Sequence, residues 1–191
     1  MNSLVVSLVG GVLWGMMSLL ACPQQGAVSV DIKPEYVDSA PMMMSPLTAW
    51  PASGPISQAF GCSPFYSGIA GPGCPAAMPW FHDGLDLAIP AGTPVQAGLS
   101  GTVIFAGADG SGPPCGQYRG YGLSVVVANQ TGWQTLYAHL DEIKVGVGQV
   151  VTATTIIGAS GATGCVSGPH LHFGLRNQSG LLDPQAYLPA R

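Results

Sequence analysis

The chain has 191 residues and few charges: five Lys/Arg, nine Asp/Glu and four His, for a formal net charge of −4. Five basic residues cannot neutralise a phosphate backbone, which excludes a nucleic-acid-binding surface. With 47% hydrophobic residues, 28 Gly and 17 Pro, the composition is that of one turn-rich β domain with appendages, and it excludes a disordered chain.

Residues Leu4 to Ala21 form an apolar run broken only by Ser7, Gly10, Gly11, Gly15 and Ser18. Its length lies between that of a secretory signal and that of a short membrane span. It ends in Leu19-Leu20-Ala21-Cys22, which resembles the lipobox of bacterial lipoproteins, where the Cys carries lipid. A plain cleaved signal and a retained anchor are the alternatives, and all three export the rest of the chain. Residues 23–54 carry Pro23, Pro34, Pro41 and Pro46 with a Met42-Met43-Met44 run; they read as a tether. The domain is expected over 55–191, with 1–22 as leader or anchor.

Four Cys remain in the exported part: Cys62, Cys74, Cys115 and Cys165. They allow three pairings. Cys62 and Cys74 flank one Gly/Pro-rich loop, so a local bridge there leaves Cys115 with Cys165; free buried thiols are the alternative. No CxxC spacing is present, which excludes a zinc knuckle.

Short strands with turn punctuation come next. Leu85, Leu87 and Ile89 alternate with Asp86 and Ala88 and stop at Pro90-Ala91-Gly92. Gly101 to Phe105 and Leu123 to Ala128 read as strands. Trp133 to Leu140 alternates Trp133, Thr135, Tyr137 and His139 on one face with Gln134, Leu136, Ala138 and Leu140 on the other. A polar turn over 129–132 makes these last two a hairpin. Residues 145–151, 156–158 and 171–175 complete the set. Nothing beyond the leader has helical periodicity.

His139 and His172 lie in these segments, and His82 and His170 stand just before two of them. His170 and His172 are two apart on a predicted strand, so both face one side, with Leu171, Phe173 and Leu175 facing the core. His82 and Asp86 offer a nitrogen and an oxygen. Zinc accepts such mixed sets and keeps an open position in catalytic sites.

In motif order and spacing, residues of about 55–187 resemble the lysostaphin-type, or LytM-like, zinc metallo-endopeptidases of bacterial cell walls. The resemblance rests on Phe81-His82-Asp83-Gly84-Leu85-Asp86 with the strand after it. It extends through Tyr137-Ala138-His139-Leu140, Gly161-Ala162-Thr163-Gly164 and Gly168-Pro169-His170-Leu171-His172-Phe173.

The resemblance implies a compact, all-β antiparallel sheet domain of the duplicated-hybrid-motif kind. It implies Zn2+ on His82, Asp86 and His172, with His139 and His170 as unligated catalytic histidines. The implied partner is the peptide part of peptidoglycan, cut by a monomer in the cell envelope. Contact with membrane is expected only through the leader or a lipid on Cys22. A non-catalytic member that binds wall or activates an amidase is the alternative. Loops 61–80 and 108–122 are expected to line the groove, with Phe65, Tyr66, Trp80, Tyr118 and Tyr121 as candidate aromatics.

Three features depart from the family pattern. Gly174 stands where Glu is common, the 109–121 stretch is long, and Cys165 replaces a small polar residue. A Cys115–Cys165 bridge would tie two loops at the rim of the site.

Overall fold

A computed structural model describes residues 45–65, 69–109 and 120–191. The leader, the tether to residue 44, Tyr66, Cys115 and Tyr118 lie outside the described residues. Among those described, no helix is long and apolar enough to cross a membrane.

Twelve strands occur in the described residues. In order they are β1 (Ile56–Gln58), β2 (Gly61–Ser63), β3 (Trp80–His82), β4 (Leu85–Leu87), β5 (Pro94–Gln96) and β6 (Gly101–Ala108). Then come β7 (Leu123–Ala128), β8 (Gln134–Ile143), β9 (Val150–Val151), β10 (Ile156–Ser160), β11 (Leu171–Asn177) and β12 (Gly180–Leu182). One 3-10 turn, Pro184–Ala186, lies after them. The main sheet runs β1-β4-β11-β8-β7-β6-β9, with β10 joining β5 and β8, and β12 beside β11. Strands β2 and β3 pair separately. Every pairing is antiparallel, so the expected all-β antiparallel domain is what folds.

The alternating strands build the core. Leu171, Phe173 and Leu175 of β11 are fully buried, as are Val125 and Val127 of β7. Each such side chain contributes about 2 kcal/mol of burial. The β7–β8 turn is held by Asn129, whose side-chain oxygen accepts from the backbone N–H groups of Thr131 and Trp133. Gly132 supplies the positive φ of 86° that closes it.

Several pairings carry register shifts, and the one in β8 bears on the site. Tyr137 and Leu140 are both fully buried in the same core, although they are three residues apart. Val125 pairs with Tyr137 and Leu123 with Leu140, so the single residue Ser124 between them on β7 faces two, Ala138 and His139, on β8. This is a β-bulge, and the extra residue is absorbed at His139, the one non-glycine among the described residues with positive φ, 63°. Bulges re-aim a side chain. Here the bulge sends His139 to the face opposite Tyr137, whereas alternation alone puts the two together.

Residues 45–54, read from the sequence as the end of a tether, pack onto the sheet. Leu47 and Ala52 are buried in the core. Thr48 N donates to Gly98 O, and Gln96 N to Pro51 O. Ser45 Oγ donates to Tyr187 O, and Trp50 Nε1 to Pro189 O. The segment is a packed part of the domain rather than a free linker.

A Cys62–Cys74 disulfide closes the 61–80 loop. Cys165 is also disulfide-bonded; its expected partner, Cys115, is not among the described residues.

Candidate metal centre

Sheet register assembles the site. His172 on β11 lies directly opposite Asp86 on β4 and, on its other side, opposite Ala138 on β8. His82 ends β3, and the Asp83-Gly84 turn brings the chain back into β4. His139 follows Ala138 across the bulge. His170 precedes β11 and is anchored by a bridge to Gly161.

His82 Nε2, Asp86 Oδ1 and His172 Nδ1 form a nearly equilateral triangle. The separations are 3.1 Å from His82 to Asp86, 3.1 Å from His82 to His172 and 3.0 Å from His172 to Asp86. All three residues are buried. Tetrahedral ligands at ~2.0–2.1 Å from zinc stand about 3.3 Å apart, so the triangle fits with little adjustment.

The protonation pattern agrees. His82 Nδ1–H donates to Ala59 O at 2.9 Å, which leaves Nε2 with its lone pair toward the triangle. The other nitrogen of His172, Nε2, is buried without a hydrogen bond, 3.5 Å from Asp83 Oδ1. Two imidazole nitrogens and a carboxylate oxygen aimed at one point suit a cation, and this donor set can hold a metal ion.

Burial alone would raise Asp86, but hydrogen bonds and charge from His172 and His82 hold its carboxyl well below the usual range. Burial alone would lower His82; Asp86, the Ala59 carbonyl and Asp83 together raise it.

Asp83 accepts a hydrogen bond from the Tyr121 hydroxyl. The Tyr121 ring lies 5.4 Å from that of His172. Burial first, then the Asp83 charge, push the Tyr121 phenol far up, so it stays a donor. Asp83 therefore stands between Tyr121 and the outer nitrogen of His172. Gly84 is equally placed: a Cβ there would lie 2.6 Å from His172 Cε1 and 2.7 Å from Phe173 O. The second atom is backbone and cannot swing away. Gly84→Ala is expected to displace His172 and weaken zinc binding by about 10–100-fold, measured by competition with a chromogenic chelator. Unchanged affinity would show that the ring does not depend on that gap.

His139 and His170 stand beside the triangle, their ring centroids 4.7 Å apart. His139 Nδ1 donates to Thr163 O at 2.8 Å, and His170 Nδ1 to Gly168 O at 2.9 Å. In a neutral ring so fixed, Nε2 is the acceptor. His170 Nε2 is 3.7 Å from Asp86 Oδ2. Burial, then His172 and His170, lower His139 to about 3, so it is neutral at ordinary pH.

The sign of this effect is testable in the metal-free protein. Below pH 6.5 the unfolded chain takes up a proton at His139 that the folded chain refuses. Its contribution to stability is whole above 6.5 and is lost as pH falls toward 3, by up to about 1.4 kcal/mol per unit. His82, being raised, contributes with the opposite sign, so the comparison is with His139→Gln. The variant is expected to show a shallower fall in urea midpoint between pH 7 and pH 4.5. An equal fall would refute the assignment.

The same sheet face continues into a cavity of about 320 Å3, which reaches from Asp83 and Tyr121 across Gly174 and Leu136 to Arg176. A Cβ at Gly174 would meet Leu136 Cβ at 3.3 Å, so the missing side chain opens the cavity floor. Of the expected groove aromatics, Tyr121 lines this cavity, while Phe65 and Trp80 do not. Phe105 lines it unforeseen. A second hollow, about 560 Å3 between Trp50, Gln96, Ile156 and Arg191, holds no His and no carboxylate side chain.

Comparison with known proteins agrees with this geometry. The sequence profile described as Peptidase family M23 matches residues 80–184. The chain belongs to peptidase family M23. Among curated relatives, it is 40% identical over 95 residues to the DD-carboxypeptidase/endopeptidase Mpg of Neisseria meningitidis. That match covers 50% of this chain and 20% of Mpg, so the chain spans about a fifth of that relative's length. Among solved M23 structures, the catalytic domain of lysostaphin from Staphylococcus simulans matches with a TM-score of 0.58 and 30% identity, covering 72% of this chain and 93% of that one. A zinc-containing peptidase from Vibrio cholerae matches with a TM-score of 0.58 and 28% identity, covering 75% of this chain and 40% of the other.

The five expected site positions come together. Sequence reasoning did not single out Asp83, Gly84, or the carbonyls of Ala59, Thr163 and Gly168. Asp83-Gly84 was available inside the His82-to-Asp86 motif; backbone carbonyls carry no residue-type signal.

Proposed function

We propose that this M23 domain is a zinc endopeptidase that cuts peptide bonds in bacterial peptidoglycan. One observation carries the reading. Beside a complete His-Asp-His triangle stand two further imidazoles, each fixed through Nδ1 to a backbone carbonyl, with His170 Nε2 3.7 Å from Asp86 Oδ2. A site serving only to store metal or to bind wall has no need of them.

Zinc on His82, Asp86 and His172 would supply Lewis acidity toward the scissile carbonyl and lower the pKa of water. His139 and His170 offer Nε2 as the acceptor for the proton of an attacking water. Once protonated, the same ring donates to the oxyanion or to the leaving amine. Thr163 and Gly168 carbonyls keep both rings in the required tautomer. Asp83, fixed by Tyr121, restrains His172 from behind. The apolar leader and the 23–44 segment are read as exporting the domain to the cell envelope, with Cys22 as a candidate lipid site. The protein is taken to act as a monomer.

The test is incubation of the zinc-loaded full chain with purified peptidoglycan and mass spectrometry of the released fragments. New amine and carboxyl termini at a peptide bond support the proposal. Full zinc occupancy with no bond cut on any wall type would reject it in favour of a non-catalytic module.

A further inference from the structure

Along β11, positions 172, 174 and 176 point to the same face. His172 carries the metal-binding end, Gly174 leaves the floor bare, and Arg176 is exposed at the far end of the cavity. Arg176 lies opposite Gln134 of β8, whose amide adds a second polar group there.

The few cations of this chain make Arg176 distinctive. Lys144 pairs with Glu142. Arg191 lies over the Trp50 ring and donates to Gly54 O. Lys33 and Arg119 are outside the described residues. Among the described residues, Arg176 forms no ion pair and is the one basic side chain lining the cavity. Two acids also line the cavity, and both hold Tyr121: Asp83 accepts from its hydroxyl, and Asp109 Oδ2 from its backbone N–H. Val126, Leu136 and Leu181 supply apolar wall, beside Ser124 and Thr135. A guanidinium fork beside such walls favours a carboxylate, which it binds through two parallel hydrogen bonds.

We propose that Arg176 is a specificity-determining subsite for a free carboxylate of the substrate peptide. Four residues of strand place it about 13 Å from His172 along the groove. Resting on the peptidase reading, this names the substrate class: an anionic, carboxylate-bearing stem peptide rather than a neutral glycine bridge.

The test uses the zinc-loaded full chain and two synthetic cross-linked stem peptides. They are identical except that one has free side carboxylates and the other primary amides. kcat/KM is measured for cleavage, and Kd by calorimetry on His139→Ala, which removes turnover. The carboxylate form is expected to be favoured about tenfold in both. In Arg176→Gln the ratio is expected to fall to about one, and in Arg176→Lys to an intermediate value. Equal use of the two peptides by the wild type, or an undiminished preference in Arg176→Gln, would overturn the subsite. The two readings fail separately. A Kd preference that vanishes in Arg176→Gln without cleavage keeps the subsite and rejects the peptidase. Cleavage without preference does the reverse, and binding of neither peptide rejects both.

Discussion

Replacing His139 by Ala is expected to slow peptidoglycan cleavage by about 10²–10⁴-fold with bound zinc unchanged. The split follows from geometry. His139 is outside the triangle that His82, Asp86 and His172 close at 3.0–3.1 Å, so its loss removes no ligand. What is lost is a neutral Nε2 acceptor fixed by the Thr163 carbonyl. With φ of 63° at 139, His itself bears backbone strain of about 1–2 kcal/mol, and Ala leaves that strain in place. His139→Asn is therefore the companion, since Asn tolerates that conformation while lacking the imidazole. Both variants should keep one zinc per chain by elemental analysis and both should be slow. Retained activity in either would remove His139 from the chemistry. Loss of zinc in both would make it structural.

The second large effect concerns the metal. Saturating zinc, at about a thousand times Kd, is expected to stabilise the wild type by about 4 kcal/mol and to raise Tm by roughly 10 °C. In Asp86→Ala that increment is expected to vanish. Asp86 is the anionic corner of the triangle, and without it two imidazole nitrogens 3.1 Å apart face each other with no shared negative partner. The check is calorimetric melting with and without zinc. An equal zinc-dependent rise in Asp86→Ala would place the metal elsewhere.

Much of the site is legible in the amino-acid sequence. The alternation of Leu171, Phe173 and Leu175 assigns the core face of β11, and with it the opposite face to His172. The His82-x3-Asp86 spacing marks two further candidate ligands. Register is not legible: nothing in either segment says that His172 sits opposite Asp86. The β8 bulge is not legible either, because a period of two is assumed wherever residues alternate, and one inserted residue reverses every face beyond it. Residues 45–54 mislead through composition. Pro46 reads as part of a linker, yet its neighbour Leu47 and nearby Ala52 are core. Gly84 can be seen as a glycine, but its reason is the ring of His172, 88 positions away in sequence.

A chain lacking one residue at 138–139 could pair Tyr137 and Leu140 with β7 in unbroken register and would relieve the strain at 139. Such a deletion variant could gain in sheet regularity while losing its imidazole from the site. Any route of change that rewards stability alone therefore leads away from chemistry at this position. Persistence of the surplus residue would report selection on the reaction rather than on the fold.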